Sequence, residues 1–229
     1  MFDAIAHRYD TLNHLLSLGL DRRWRRRAVR ELGLTGTERV LDACTGTADL
    51  ALAAVTSRAG RAAEVVGVDF AGEMLRRGLV KVRGRGFAPV VRLVRADVTR
   101  LPLSDRAFDG AMIAFGIRNV VDPAAALAEF ARVLKPGGRL VILEFGFPKI
   151  PGIRALYRAY FRRVLPKVGR AVSRHGEAYA YLPASVADFG SEASVIRLIE
   201  TAGFSGVRAV SLTAGIVYMY VGRKAAAAA

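Results

Sequence analysis

The sequence predicts an α/β fold with a mostly parallel sheet and helices on both faces, and three observations support this. From residue 38 onward, apolar runs bounded by turn residues alternate with helical patterns. The tail "VRAVSLTAGIVYMYVGRK" holds two strand patterns joined by a short "TAG" turn, the mark of an antiparallel hairpin at one sheet edge. With 229 residues and 52% hydrophobic content, the chain can bury one substantial α/β core but not two independent ones.

The elements follow in order. "RVLDAC" (39–44) is a first strand, and "ADLALAAVTSRA" (48–59) continues it as a helix. "EVVGVDF" (64–70) is a second strand, and "GEMLRRGLVKVRG" (72–84) a second helix. "VVRLVRADV" (90–98) and "AFDGAMIAFG" (107–116) are the third and fourth strands. "PAAALAEFARVL" (123–134) is a helix that should stop at "KPGG", before a fifth strand "GRLVILEFG" (138–146). A helix at "SEASVIRLIETAGF" (191–204) precedes the terminal hairpin. Residues 1–35 read as a helical cap with Tyr9, Leu12, Leu15, Leu16 and Leu18 as candidate buried positions. Residues 150–190 read as an inserted helical lid, "GIRALYRAYFRRVLPKVGRAV" followed by "EAYAYLPASVADF", so 1–224 forms one domain and 225–229 a tail.

No apolar window approaches the length of a membrane span, and the N-terminus lacks the basic-then-apolar order of a signal peptide, which predicts a cytoplasmic chain. Cys44 is the single cysteine and can form no internal disulfide. The net charge of +15 gathers in two clusters: Arg22, Arg23, Arg25, Arg26, Arg27 and Arg30, then a second from Arg154 to Arg174. Such clusters suit a polyanion or an anionic membrane surface, or else are solvated helix faces.

In open α/β sheets ligands bind beyond the carboxyl ends of the strands. The stretch "VLDACTGTADLALA" puts Asp42, Gly46 and Thr47 there, but with one glycine it lacks the fuller glycine run that a pyrophosphate favours. Asp69 ends the second strand, where an acid can accept hydrogen bonds from both ribose hydroxyls of an adenosine cofactor. That geometry leaves nicotinamide dinucleotides and S-adenosylmethionine both open. Asp97, with Val98 beside it, ends the third strand and could bond an adenine amino group while apolar neighbours cover the ring. Three acids at consecutive strand ends suit a cationic, phosphate-free cofactor better than a pyrophosphate. His7, His14 and His175 form no compact metal-ligand motif, so no metal is expected. Cys44 has no neighbouring histidine to activate a thiolate.

The blocks "VLDACTGTADL", "VVGVDF", "AFDGAMI" and "LKPGGRLVILEF", in this order, resemble the class I S-adenosylmethionine-dependent methyltransferases. Four others, "YDTLNHLLSLGLDRRWRR", "FGIRNVVDP", "YAYLPASVADF" and "LTAGIVYMYVGRK", resemble more specifically the menaquinone and ubiquinone biosynthesis C-methyltransferases, the UbiE or MenG family. The resemblance runs from about Phe2 to Lys224. It implies a Rossmann-like fold with a seven-stranded sheet, with S-adenosyl-L-methionine as cofactor. It further implies that Thr47 and Asp69 bind the cofactor's amino-acid and ribose parts, that Asp97 and Val98 flank its adenine, and that Gly46 admits close backbone approach. The reaction implied is methylation at a ring carbon of a reduced prenylated quinone precursor, demethylmenaquinol before a ubiquinone precursor. Arg118 is the first choice for promoting loss of the hydroxyl proton, by orienting a water or stabilising phenolate, because guanidinium itself hardly deprotonates. Tyr9, Asn119, His175, Tyr179 and Tyr181 are candidates for gripping ring oxygens. Two departures stand out: Ala48 replaces a loop glycine of the family, and Ala114 replaces a serine that contacts the cofactor in some members.

A bilayer-resident substrate and a basic chain together point to peripheral contact with the inner face of the membrane, and self-association as a homodimer is left open. The competing readings are a methyltransferase of another small aromatic or lipid substrate, a nicotinamide oxidoreductase, and a nucleic-acid-binding protein. The glycine-poor loop speaks against the oxidoreductase. The arginines lack a stacking motif, which speaks against nucleic acid.

Overall fold

A computed structural model describes residues 17–159, 185–186 and 189–226. Seven strands form one sheet in the order β3-β2-β1-β4-β5-β7-β6. They are β1 (Arg39–Ala43), β2 (Glu64–Asp69), β3 (Val91–Arg95), β4 (Phe108–Ala114), β5 (Leu134–Phe145), β6 (Phe204–Leu212) and β7 (Val217–Lys224). The first five pair in parallel, and β7 runs antiparallel to both β5 and β6, as the terminal hairpin pattern requires. The helices are α1 (Asp21–Leu32), α2 (Asp49–Thr56), α3 (Gly72–Gly84), α4 (Pro123–Val133), α5 (Pro151–Ala159) and α6 (Glu192–Thr201).

The period-2 alternation of β1 assigns its residues to two layers. Val40 packs with Val29, Leu32, Leu52 and Val82 from α1, α2 and α3. Leu41 and Ala43 pack with Leu127 and Phe130 of α4 and Ile199 of α6 on the other face. Helix boundaries follow from local chemistry. Asp122 accepts the Ala125 N–H at 2.9 Å ahead of Pro123, Ser191 accepts the Ser194 N–H, and Gly33 ends α1 at φ 63°. The amphipathic face of α1 buries Trp24, whose indole N–H donates to Thr213 and whose ring meets Phe115 and Phe145 edge-on.

Several expectations shift. Strand β5 starts at Leu134, not Gly138, because Leu134 pairs with Phe108 before the "KPGG" residues bulge out and pairing resumes at Gly110 and Arg139. Strand β3 stops at Arg95, since Asp97 turns to bond Thr99 locally. Strand β6 begins at Phe204, three residues early, with a register shift between Ser205 and Arg208. Leu18, expected in the core, is 85% exposed: it sits in the turn ahead of α1 at φ 50°. The other expected cap positions, Tyr9, Leu12, Leu15 and Leu16, lie outside the described residues.

Candidate functional site

Strand order reverses between β1 and β4, so the loops leaving these strands part and open a crevice at their carboxyl ends. Its walls include Asp42, Cys44, Thr45, Gly46 and Thr47 from the β1 side, Ala114 and Phe115 from β4, and Arg25 of α1. Ala114 thus lines the cleft at the position where some family members are expected to carry a serine.

The loop is set by positive φ at Cys44 (51°), Gly46 (56°) and Ala48 (66°). A Cβ on Gly46 would meet nothing within 4 Å, so this backbone is open to close approach. Asp69 ties the loop to β2: one carboxylate oxygen accepts the Gly46 N–H at 2.8 Å, and the other accepts the Ala71 N–H at 2.8 Å. Thr45 donates to Asp42 at 2.6 Å, and its own N–H donates to Val68. Thr47 is buried, and its hydroxyl accepts from Lys81 of α3 at 3.0 Å, while Lys81 also pairs with Asp49 at 2.7 Å. The close packing of β2 under this loop needs Gly67, whose added Cβ would lie 2.7 Å from Leu93 and 2.8 Å from the Thr45 hydroxyl. Gly67→Ala is therefore expected to destabilise the fold by about 1–3 kcal/mol, read from urea unfolding; an unchanged midpoint would contradict this packing.

Asp42 is 1% exposed, and burial pushes its carboxyl from 3.8 up to about 7, with hydrogen bonds from Thr45 and the Ala51 backbone offsetting only part of the shift. In that window the folded chain holds a proton that the unfolded chain has released. This residue's effect is thus a loss of stability as pH rises from about 4 to about 7, of about 1.4 kcal/mol per unit at most, and flat above. The difference in unfolding free energy between the parent and Asp42→Asn, followed across that range, should display this slope. A difference independent of pH would contradict it.

Burial and the nearby Asp69 and Asp42 push the Cys44 thiol up, away from the thiolate that a nucleophile needs. Asp97 is exposed at the end of β3, and its bonds from the Thr99 backbone and hydroxyl hold its carboxyl below the ordinary value; Val98 beside it is buried.

A single 3-10 turn (Ile117–Asn119) after β4 carries Arg118 and Asn119. Phe115, at φ 59°, turns its carbonyl to accept from both, Arg118 Nη1 at 2.9 Å and Asn119 Nδ2 at 3.3 Å. Arg118 Nη1 also pairs with Glu144 of β5 at 2.5 Å; Glu144 is 1% exposed, and Arg118 Nε donates to Ser185 at 3.4 Å. These bonds leave Nη2 as the donor without a partner among the described residues. The Oδ1 of Asn119 is buried with no hydrogen-bond partner among them.

The structure therefore brings Asp42, Gly46, Thr47 and Asp69 together around one loop, with Asp97 and Val98 two strands from β1 and Arg118 and Asn119 on the β4 side. Tyr9, His175, Tyr179 and Tyr181 lie outside the described residues. Lys81, Glu144 and Ser185 escaped the sequence reading. Glu144 left one signal, an acid inside the otherwise apolar run "LVILEF".

The pattern of the ubiE/COQ5 methyltransferase family matches residues 1–224. The chain is 49% identical to the ubiquinone/menaquinone biosynthesis C-methyltransferase UbiE of Geobacter sp. (strain M21), covering 98% of this chain and 94% of that one. It is 48% identical to the demethylmenaquinone methyltransferase of Thermus thermophilus, covering 97% and 99%. Among solved structures, a SAM dependent methyltransferase from Aquifex aeolicus superimposes with a TM-score of 0.64 at 22% identity, over 87% of this chain and 89% of that one, which is a likeness of fold.

Proposed function

This chain belongs to the ubiE/COQ5 methyltransferase family, enzymes that take their methyl group from S-adenosylmethionine, and from that premise we propose that it methylates demethylmenaquinol to menaquinol. The observation that carries the substrate is the near full-length match to the Thermus thermophilus demethylmenaquinone methyltransferase. The name shared by the Geobacter relative keeps a ubiquinone precursor as the second reading.

The residues of the crevice fit this cofactor. The donor set is acidic and glycine-poor, Gly46 is open to close approach, and Asp69 already orients a carboxylate at the end of β2. In this reading Asp69 holds the ribose hydroxyls, Thr47 and Gly46 border the amino-acid part, Asp97 and Val98 flank the adenine, and Asp42, buried and accepting from the Thr45 hydroxyl, holds the loop in shape around them. When bound, S-adenosylmethionine supplies an electrophilic methyl group.

Proton handling falls to the 3-10 turn. Asn119 Oδ1 accepts a hydrogen bond from a ring hydroxyl, relieving an orphan acceptor that otherwise costs about 1–3 kcal/mol. Arg118 acts through the remaining donor Nη2, stabilising phenolate or orienting the water that takes the proton, while Glu144 and the Phe115 carbonyl fix its plane. The hydroxyl proton goes to solvent water and the ring carbon becomes the nucleophile; the methyl–sulfur bond would break as the carbon–carbon bond forms, and the hydrogen on that ring carbon would then leave as a proton, restoring the aromatic ring. Tyr9 and Tyr181 are assigned to the ring oxygens on the strength of the family resemblance alone. The phenolate and the cationic donor neutralise each other as the new bond forms, so a water-poor apolar pocket favours the reaction. The substrate's prenyl chain places the enzyme at the inner membrane surface as a peripheral protein; among the described residues no helix is long and apolar enough to cross a membrane.

The deciding experiment is incubation of the purified chain with labelled S-adenosylmethionine and reduced demethylmenaquinone. A C-methylated product is expected, and its absence under reducing conditions would overturn the proposal.

A further inference from the structure

Arg22, Arg23, Arg26 and Arg30 of α1, Arg58 just past the end of α2 and Arg85 just past the end of α3 line one groove of about 950 Å³. All six are exposed, and among the described residues none has an ion pair with a carboxylate. Arg27, Arg39, Arg92 and Arg132, outside the groove, each face a carboxylate. Among the described residues the groove's one acidic side chain is Asp49, already engaged by Lys81 at 2.7 Å and Arg25 at 3.9 Å. Arg22, Arg26 and Arg30 follow one another at i, i+4 and i+8, a like-charge stripe that weakens an isolated helix. Such a stripe favours an external anion beside it, and the groove is the size of an ordinary ligand pocket.

We propose that the groove between α1 and the C-terminal half of α2 docks the phosphate groups of an anionic phospholipid surface. The lipid as their source rests on the quinol reading, whereas the anion site rests on the groove. No aromatic side chain lines it among the described residues, so it offers single-stranded nucleic acid no stacking platform. Leu18, 85% exposed three residues ahead of α1, adds an apolar side chain to the basic helix, as interfacial helices do. Arg25 and Asp49 line both the groove and the β1 crevice, so a lipid phosphate docked in the groove lies beside the candidate active site.

The test is co-sedimentation of the full chain with phosphatidylcholine vesicles, with and without phosphatidylglycerol, over a salt series. Binding is expected only with the anionic lipid and should fall with salt. The triple variant Arg26→Gln, Arg30→Gln, Arg58→Gln should bind about a hundredfold more weakly, about fivefold for each charge removed, while the triple lysine variant retains binding. S-adenosylmethionine affinity, read by calorimetry, should not move in either variant. Binding by the glutamine variant within threefold of the parent, or tighter binding to RNA than to vesicles at equal salt, would overturn the proposal. Vesicle binding that depends on the groove, in a chain that fails to methylate demethylmenaquinol, would refute the functional reading and leave the docking site standing.

Discussion

Asp69→Ala is expected to weaken S-adenosylmethionine binding by about a hundredfold or more in calorimetry. The substitution removes two things at once. In the proposed complex the carboxylate accepts from the ribose, and hydrogen bonds to a charged group are worth about 1.5–3 kcal/mol each. In the protein itself it accepts the Gly46 and Ala71 N–H groups at 2.8 Å, so without it the glycine loop loses its tie to β2. A fall in unfolding free energy of about 2 kcal/mol should accompany the loss of affinity. Asp69→Asn keeps one acceptor and should lie between. Cofactor affinity within threefold of the parent in the alanine variant would remove Asp69 from the site.

Arg118→Ala should cost about 3–5 kcal/mol of stability, because it strands the carboxylate of Glu144, 1% exposed, without its cation. Turnover should fall by two orders of magnitude or more, with cofactor affinity changed much less. Instability alone could lower activity, so a second variant separates the roles. Arg118→Met combined with Glu144→Leu replaces the buried pair with apolar volume and should recover most of the stability, as such replacements often do. It should not recover turnover, since no group remains to meet the phenolate. A stable double variant with parental turnover would make Arg118 a structural residue only.

Hydrophobic periodicity carried the order and type of elements, and most of the misses come from pairing between distant strands. The alternation of β1 and β2 and the caps at Asp122 and Ser191 are written in short-range chemistry, so they could be read directly. Long-range pairing is not written there. The bulge at "KPGG" exists because Phe108 holds Leu134 across the sheet, and the early start of β6 because β7 offers Phe204 a partner at Lys224. Leu18 failed for a related reason: hydrophobicity predicts burial, but a backbone turn decided the direction.

In the site, the acids at strand ends were legible because topology sends strand ends to one edge. The side chains that support them, Lys81 and Glu144, come from elsewhere in the chain and show only once the sheet is closed. Ala48 is instructive: it adopts φ 66°, a left-handed turn that a glycine takes without strain, at a cost of about 1 kcal/mol.

The insertion of β7 between β5 and β6 has a consequence for synthesis. When residues 204–212 emerge from a ribosome, β6 has no strand to pair with, and β5 presents a bare edge. Both wait for residues 217–224, which fill the gap and satisfy two rows of backbone groups in one step. A nascent or truncated chain stopped before Val217 would thus expose two open sheet edges at once, the kind of surface that chaperones capture and aggregates grow from.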